Sequence, residues 1–384
     1  MAPTQVDEPV ITPVRPERMV DTRRAASSDS TAVAKVGGSR VLELPVLGQS
    51  GVPESGVAAL AMNVTVTDAE VGPEGGYLTV FPCGERVPNV SNLNFVNGQT
   101  VANSVIAPVS DAGTVCFYVY GEAHVLADIS GVVMDGAGFR TVEPERRVDT
   151  RSGLGDVVAV PIEYSVLNVP MLGRAGVPER DVTAVSINLT VTNTVAPEVG
   201  GYATVYPCDA ALPDASNLNF TTGATVPNSV ISPLSADGHL CVFVYGSADI
   251  IIDVNGAFDS GVGYGSIVPA RLADTRSSER IGNASGTGDD LVVQVSGIGG
   301  VPSDNVISAS LNITVVDTEA PDAGGYVTVY PCGTRPDSST LNFTSNQVIA
   351  NALLAPLSDG GTVCVHVFGS ANVIVDVNGY ITGD

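Results

Sequence analysis

Six aspartates recur at matching places in three copies of one pattern. Asp21, Asp149 and Asp274 are each followed by Thr and then by Arg23, Arg151 or Arg276, and Asp128, Asp253 and Asp376 stand near the end of each copy. A pair of carboxylates is the machinery of glycoside hydrolysis, one as acid and one as base or nucleophile. The same residues serve as framework, because a carboxylate flanked by apolar strand residues is costly to bury alone. The early arginine of each copy is then expected to pair with one of these aspartates across the domain. We take the framework reading, since residues repeated in every copy are explained more economically as structure than as three active sites.

Other reactive residue types support a non-enzymatic reading. His124, His239 and His366 do not recur between copies. Neither G-x-S-x-G nor H-E-x-x-H occurs, so hydrolase and zinc-peptidase chemistry lack their usual parts. The loop before each "GGY" carries Asp68 and Glu74, Asn193 and Glu198, or Asp317 and Asp322. Asp68, Glu74, Asp317 and Asp322 are weak calcium candidates: Ca²⁺ wants six to eight oxygens, two side chains per loop are too few, and the middle copy replaces one acid with Asn. A solvated acidic turn is the expectation, with no cofactor and calcium as the one possible metal.

Asn63, Asn188 and Asn312 recur in N-x-T sequons, followed by Asn94, Asn219 and Asn342 before Phe, and by Asn103, Asn228 and Asn351. Inside strand patterns they are expected to hydrogen-bond backbone at bulges or edges rather than carry glycans. Tyr77, Tyr202 and Tyr326 each open a strand and are expected to pack. The chain has no Trp, which weakens a lectin reading.

The elements that must hold these residues are strands. In the third copy "VISASLNITVVD", "GYVTVYPC", "GTVCVHVFG" and "ANVIVDVNGYI" are rich in Val, Ile, Thr and aromatics, with Gly, Pro, Asn and Asp clusters between them. The repeat period is about 125 residues, which matches the size of a domain that closes its own core. The expectation is an all-β protein of three tandem antiparallel β-sandwich domains, Ig-like or jelly-roll-like, each with one disulfide. The boundaries are a tail over 1–13 and repeats over 14–138, 139–263 and 264–384. Short Gly-rich connections leave little slack, so neighbours should touch, as a compact rod or a curved trio.

Six cysteines fall two per repeat, Cys83 with Cys116, Cys208 with Cys241 and Cys332 with Cys364. Near-constant spacing makes one disulfide per domain the expectation and implies an oxidising compartment. Buried free thiols are the alternative. Closing such a loop contributes about 3–4 kcal/mol on the chain-entropy model.

A net charge of −24 disfavours nucleic acid and anionic membrane partners. No apolar run is long enough to span a bilayer, and the N-terminal residues lack the pattern of a signal peptide. An extracellular or cell-surface protein, or a virion component released by lysis, is expected.

The combination P-x-R-x-x-D-T-R, G-Y-x-T-V-[FY]-P-C, S-[NT]-L-N-F, V-[AP]-N-S-V-I and D-V-N-G-[YA]-[FI] resembles a repeat of secreted and cell-surface proteins of actinobacteria, from about Arg15 to Ile381. The first copy departs with "ADISGVVM" and the third with "IANALL". The resemblance implies a non-catalytic extracellular module of the sort that stands beside catalytic domains, and it brings no defined ligand. Two roles are therefore expected in order: attachment to a cell-envelope glycan or surface protein, then a self-assembling structural subunit of a surface layer or bacteriophage virion.

Overall fold

The computed structural model describes residues 9–24, 34–38, 40–261, 263–278, 280–282 and 288–383. Of the expected tail, residues 1–8 therefore lie outside the described residues, and the rest is not tail but part of repeat 1, with Val10 and Ile11 buried and the first strand opening at Thr12. Repeat 1 is built of β1 (Thr12–Asp21), β2 (Val36–Gly37), β3 (Val41–Pro45), β4 (Val57–Glu70), β5 (Gly76–Pro82), β6 (Leu93–Phe95), β7 (Val101–Pro108), β8 (Thr114–Tyr120) and β9 (Glu122–Met134). Its antiparallel pairings are nested: β1 with β9, β3 with β8, β4 with β7 and β5 with β6. Further pairing of β4 with β9 and β5 with β8 gives the sheets β1-β9-β4-β7 and β3-β8-β5-β6, with β2 added to β9. One long hairpin rolled into two facing four-stranded sheets is a jelly roll. The four-plus-three strand order of an immunoglobulin sandwich does not occur.

Repeat 2 repeats the plan with β10 (Phe139–Asp149), β11 (Ile162–Pro170), β12 (Val182–Val195), β13 (Gly201–Pro207), β14 (Leu218–Phe220), β15 (Val226–Pro233) and β16 (His239–Asp259). Here β16 runs unbroken through both sheets, pairing with β11 and β13 in its first half and β10 and β12 in its second. Repeat 3 has β17 (Tyr264–Asp274), β18 (Leu291–Gln294), β19 (Val306–Glu319), β20 (Gly325–Pro331), β21 (Leu341–Phe343), β22 (Ile349–Pro356), β23 (Thr362–Phe368) and β24 (Ser370–Thr382). Its sheets are β17-β24-β19-β22 and β18-β23-β20-β21.

Alternation along β4 explains where the cores lie. Leu60, Met62, Val64 and Val66 point into the sandwich of repeat 1, while Ala59 and Ala61 on the opposite face join a second apolar cluster. That second cluster is shared: Ile11, Ile106 and Val133 of the first copy meet Phe139, Ile231 and Phe258 of the second and Tyr264, Leu354 and Ile381 of the third. The inward sheets are thus buried on both faces, which accounts for the unbroken burial of β7. The rod expected as one possible shape is not formed; the three repeats close on one another around a common centre.

Two recurring glycines are explained by close approach. A Cβ on Gly131, Gly256 or Gly379 would lie 2.8 Å from Ile11, 2.2 Å from Phe139 or 2.2 Å from Tyr264, the residues that fill the shared centre. The second glycine of each "GGY" lies under the Phe of "LNF", with Phe95, Phe220 and Phe343 within 2.3–2.5 Å of such a Cβ. Disulfides Cys83–Cys116, Cys208–Cys241 and Cys332–Cys364 each tie the end of the β5-type strand to its neighbour.

Candidate binding surface at the seams between repeats

Each "DTR" motif is a local clamp at the end of the first strand. Arg23 donates from its backbone N at 3.1 Å and from Nε at 2.9 Å to Asp21 Oδ1, and from its other guanidinium nitrogen at 2.8 Å to Oδ2. Arg151 grips Asp149 and Arg276 grips Asp274 in the same way. The hydroxyls of Thr22, Thr150 and Thr275 accept from the backbone N of Val125, Ile250 and Val373, fastening the turn to the last strand.

The expected cross-domain partner is corrected. Asp128 is met by Arg18, not Arg23, at 2.5 Å; Asp253 is met by Arg146 and Asp376 by Arg271, each at 2.8 Å. These pairs sit directly opposite in strand register. The signal was in the sequence, because Arg18, Arg146 and Arg271 are the first arginine of P-x-R-x-x-D-T-R. The nearer arginine is drawn to its own aspartate two residues away, which leaves the buried one to the earlier arginine.

Electrostatics separates the two sets of acids. The Arg23 hydrogen bond is the largest influence on Asp21 and holds it down at about 2; Arg151 and Arg276 likewise lower Asp149 and Asp274. Burial is the largest influence on Asp128, Asp253 and Asp376 and raises all three despite their arginines. A carboxylate pair arranged as acid and base would have to face a shared space, and these are committed to arginine.

The asparagines do more than satisfy local backbone. Asn103 donates to Asn92 O at 2.6 Å within its own repeat and to Asn188 Oδ1 of repeat 2 at 2.9 Å, while its Oδ1 accepts from Ser229 N at 2.9 Å. Asn188 in turn donates to Ser91 O of repeat 1 at 2.7 Å. The same bonds join repeat 2 to repeat 3 through Asn228, Asn312, Ala352 N and Ser216 O. They then join repeat 3 back to repeat 1 through Asn351, Asn63, Ser104 N and Ser339 O. The cycle closes, so the chain is a pseudo-trimer whose edge strands β7, β15 and β22 cover one another. Only an amide offers two donors and an acceptor from one side chain, which is why Asn occupies these positions. Sequence comparison of the copies singled out the residues but could not supply their partners, because the bonds link different copies.

The acids of the loops before "GGY" have a backbone explanation. Asp68, Asn193 and Asp317 adopt positive φ of 51°, 50° and 51° at irregularities in the strand pairing. Asn and Asp tolerate that conformation better than other non-glycine residues. Among the described residues, no group of three or more His, Cys, Asp or Glu is placed to hold a metal, and Asp68, Glu74, Asp317 and Asp322 form no such site. Tyr77, Tyr202 and Tyr326 stack on Tyr120, Tyr245 and Phe368 with ring centroids 5.2 Å apart. The histidines are divided in role: His124 meets Thr22, His239 meets Asn168, and His366 lies against Asp290 and Arg335. Among the described residues no helix is long and apolar enough to cross a membrane.

The seam between repeats 3 and 1 holds a cavity of about 430 Å³. Arg18, Arg23 and Arg24 line it from repeat 1, and Tyr326, Arg335 and Asp337 from repeat 3. This pocket was not foreseen, because Arg24 is unique to its copy and the two sides of the pocket belong to different copies.

No protein-family model and no curated protein matches the chain. Two solved structures cover it nearly end to end at 7 % identity. One, described as the atomic structure of Sulfolobus Turreted Icosahedral Virus, covers 96 % of this chain and 92 % of that one with a TM-score of 0.22. The other, described as the triple jelly roll fold and turret assembly in an archaeal virus, covers 96 % and 91 % with a TM-score of 0.23. At such scores the strand order above, not the superposition, carries the fold.

Proposed function

We propose that this chain is a non-catalytic building block, three jelly rolls fused into one pseudo-threefold unit, and that it serves as a structural subunit of a cell-surface or virion assembly. The closed asparagine cycle carries this reading. It fixes the angles between the repeats by directional bonds, a rigidity that a flexible string of binding modules would not need. The outward sheets supply surfaces for lateral contact. Their edge strands β3, β11 and β18 carry exposed Val41, Val166 and Val292, and an edge strand keeps one row of backbone groups unpaired. Val158 ahead of β11 and Tyr164 within it are 74 % and 55 % exposed.

Light scattering on a sizing column, with negative-stain microscopy over a range of protein concentrations, tests the proposal. Discrete symmetric multimers or sheets are expected. A chain that stays a monomer at every concentration would remove the structural-subunit reading and leave attachment to a glycan or surface protein. The attachment reading draws its support from the cavity at the 3–1 seam.

A further inference from the structure

We propose that the cavity between repeats 3 and 1 binds a saccharide through its carboxylate, with a uronic-acid sugar as the ligand class. The proposal holds whether or not the chain polymerises.

The three seams share one framework but not one charge. Where repeat 1 has Arg24, the other copies have Ser152 and Ser277; Arg335, three residues after Cys332, has a counterpart in Arg86, three residues after Cys83, while repeat 2 has Ala211 at that distance from Cys208. Arg24 is therefore an extra cation at this seam, and it lines the cavity together with Arg335 in a chain of net charge −24. Ring closure does not use them. The seam's additional bond is from Arg15 to Thr334 O. Arg24 stays 3.8 Å from Asp21 of its own repeat, and Arg335 lies 2.6 Å from His366 of its own repeat.

Counting charge narrows the ligand. Four arginines and one acid, Asp337, line the cavity. Arg18 is held by Asp128 and Arg23 by Asp21, and Asp290 stands behind Arg335 through His366, so Arg24 and Arg335 face Asp337 with at most one net positive charge. That suits a monoanion better than a doubly charged phosphate. The remaining lining suits a sugar, with the Tyr326 ring, Asn342 and the hydroxyls of Thr67 and Ser338. Thr65 Oγ1, also in the lining, is buried without a hydrogen-bond partner among the described residues. Of its counterparts, Thr190 Oγ1 accepts from Asn188, whereas Thr314 Oγ1 is buried without a partner among the described residues as Thr65 is. A buried hydroxyl left unpaired is destabilising, and a ligand hydroxyl would satisfy it. The cavity volume lies within the range of small-molecule sites.

The test is calorimetric titration of the full chain with a glucuronate-terminated disaccharide and with its neutral glucose analogue, at low and high salt. Variants Arg24→Ser and Arg335→Ala install the residue that both other copies carry at the first position and the one that repeat 2 carries at the second, and their melting checks that the fold is kept. The uronate is expected to bind about tenfold or more tighter than the neutral sugar. Its affinity should weaken with salt and fall about tenfold or more in the double variant with melting unchanged. Equal affinity for acid and neutral sugars would overturn the proposal, as would uronate binding unaffected by the double substitution. Absence of binding up to about 10 mM would do the same, and displacement by inorganic phosphate as effective as by free glucuronate would overturn the sugar assignment.

Discussion

The two faces of β4, β12 and β19 are made by the same strands and do different work. Toward the sandwich, Val185, Ile187, Leu189 and Val191 of β12 present aliphatic surface that packs without direction. Away from it, the face runs from Ala184 in the shared cluster through Ser186 and Asn188 to Thr190. The inner face makes a repeat fold. The outer face, through amides with fixed donor and acceptor geometry, decides how three folded repeats are set against one another. Burial alone would let the repeats slide, whereas the asparagine bonds define one arrangement.

The sharpest way to separate the faces is by substitution in repeat 2. Leu189→Ala on the inner face should cost about 2–5 kcal/mol, and Arg146→Met, which strands Asp253 as a buried unpaired charge, about 3–5 kcal/mol. Both should lower the urea midpoint. Adding Asp253→Leu to Arg146→Met should recover most of the loss, because burial already outweighs the arginine in setting the state of Asp253. No recovery would mean that the pair does more than neutralise itself.

Asn228→Ala on the seam should cost about 2–4 kcal/mol by leaving Ala352 N, Asn312 Oδ1 and Asn217 O unpaired. Its signature is local: the Ala352 amide should exchange with solvent much faster while amides in the core of repeat 2 keep their protection. Uniform loss of protection would merge the two faces into one cooperative unit.

These faces were not equally legible. Strand alternation, the paired cysteines and the Gly, Pro, Asn and Asp clusters between strands made the all-β repeats readable, since each repeat is a local problem of pattern and length. The choice between jelly-roll and immunoglobulin order was not readable, because it depends on β1 pairing with β9 across the whole repeat. Asn63, Asn188 and Asn312 stood out by recurrence, but their partners lie in other copies. Arg18 was in view and passed over for Arg23, which is committed to Asp21. Arg24 was hidden by the comparison of copies itself, which brings out what is shared and discards what is unique to one seam.

Acid should act on the seams with two opposite signs. Asp21 has a folded pKa near 2, below its unfolded value, so its stabilisation is present above about pH 4 and is lost as pH falls toward 2. Asp128, Asp253 and Asp376 are raised, so their protonation in the folded state offsets part of that loss. Asp21→Asn should therefore flatten the dependence of the urea midpoint on pH between about 4 and 2. A slope unchanged from wild type would remove the Asp21 clamp as a contributor to stability.

The smallest effect is expected at the shared centre. Tyr264 is fully enclosed there, its hydroxyl has no partner among the described residues, and burial raises its pKa. Tyr264→Phe should keep the stacking on Phe258, whose ring centroid is 4.3 Å away, and raise stability by about 1 kcal/mol. A drop in the melting temperature would show that the hydroxyl has an unrecognised partner.

Small-angle X-ray scattering of the monomer, collected at a dilution below assembly, tests the closed pseudo-trimer most directly. A 384-residue chain folded as one body should have a radius of gyration of about 21 Å, and the same three domains in a row would give roughly 30 Å. A value near the first, with a symmetric distance distribution, is what the asparagine cycle predicts. A value near the second, with an extended tail, would contradict it.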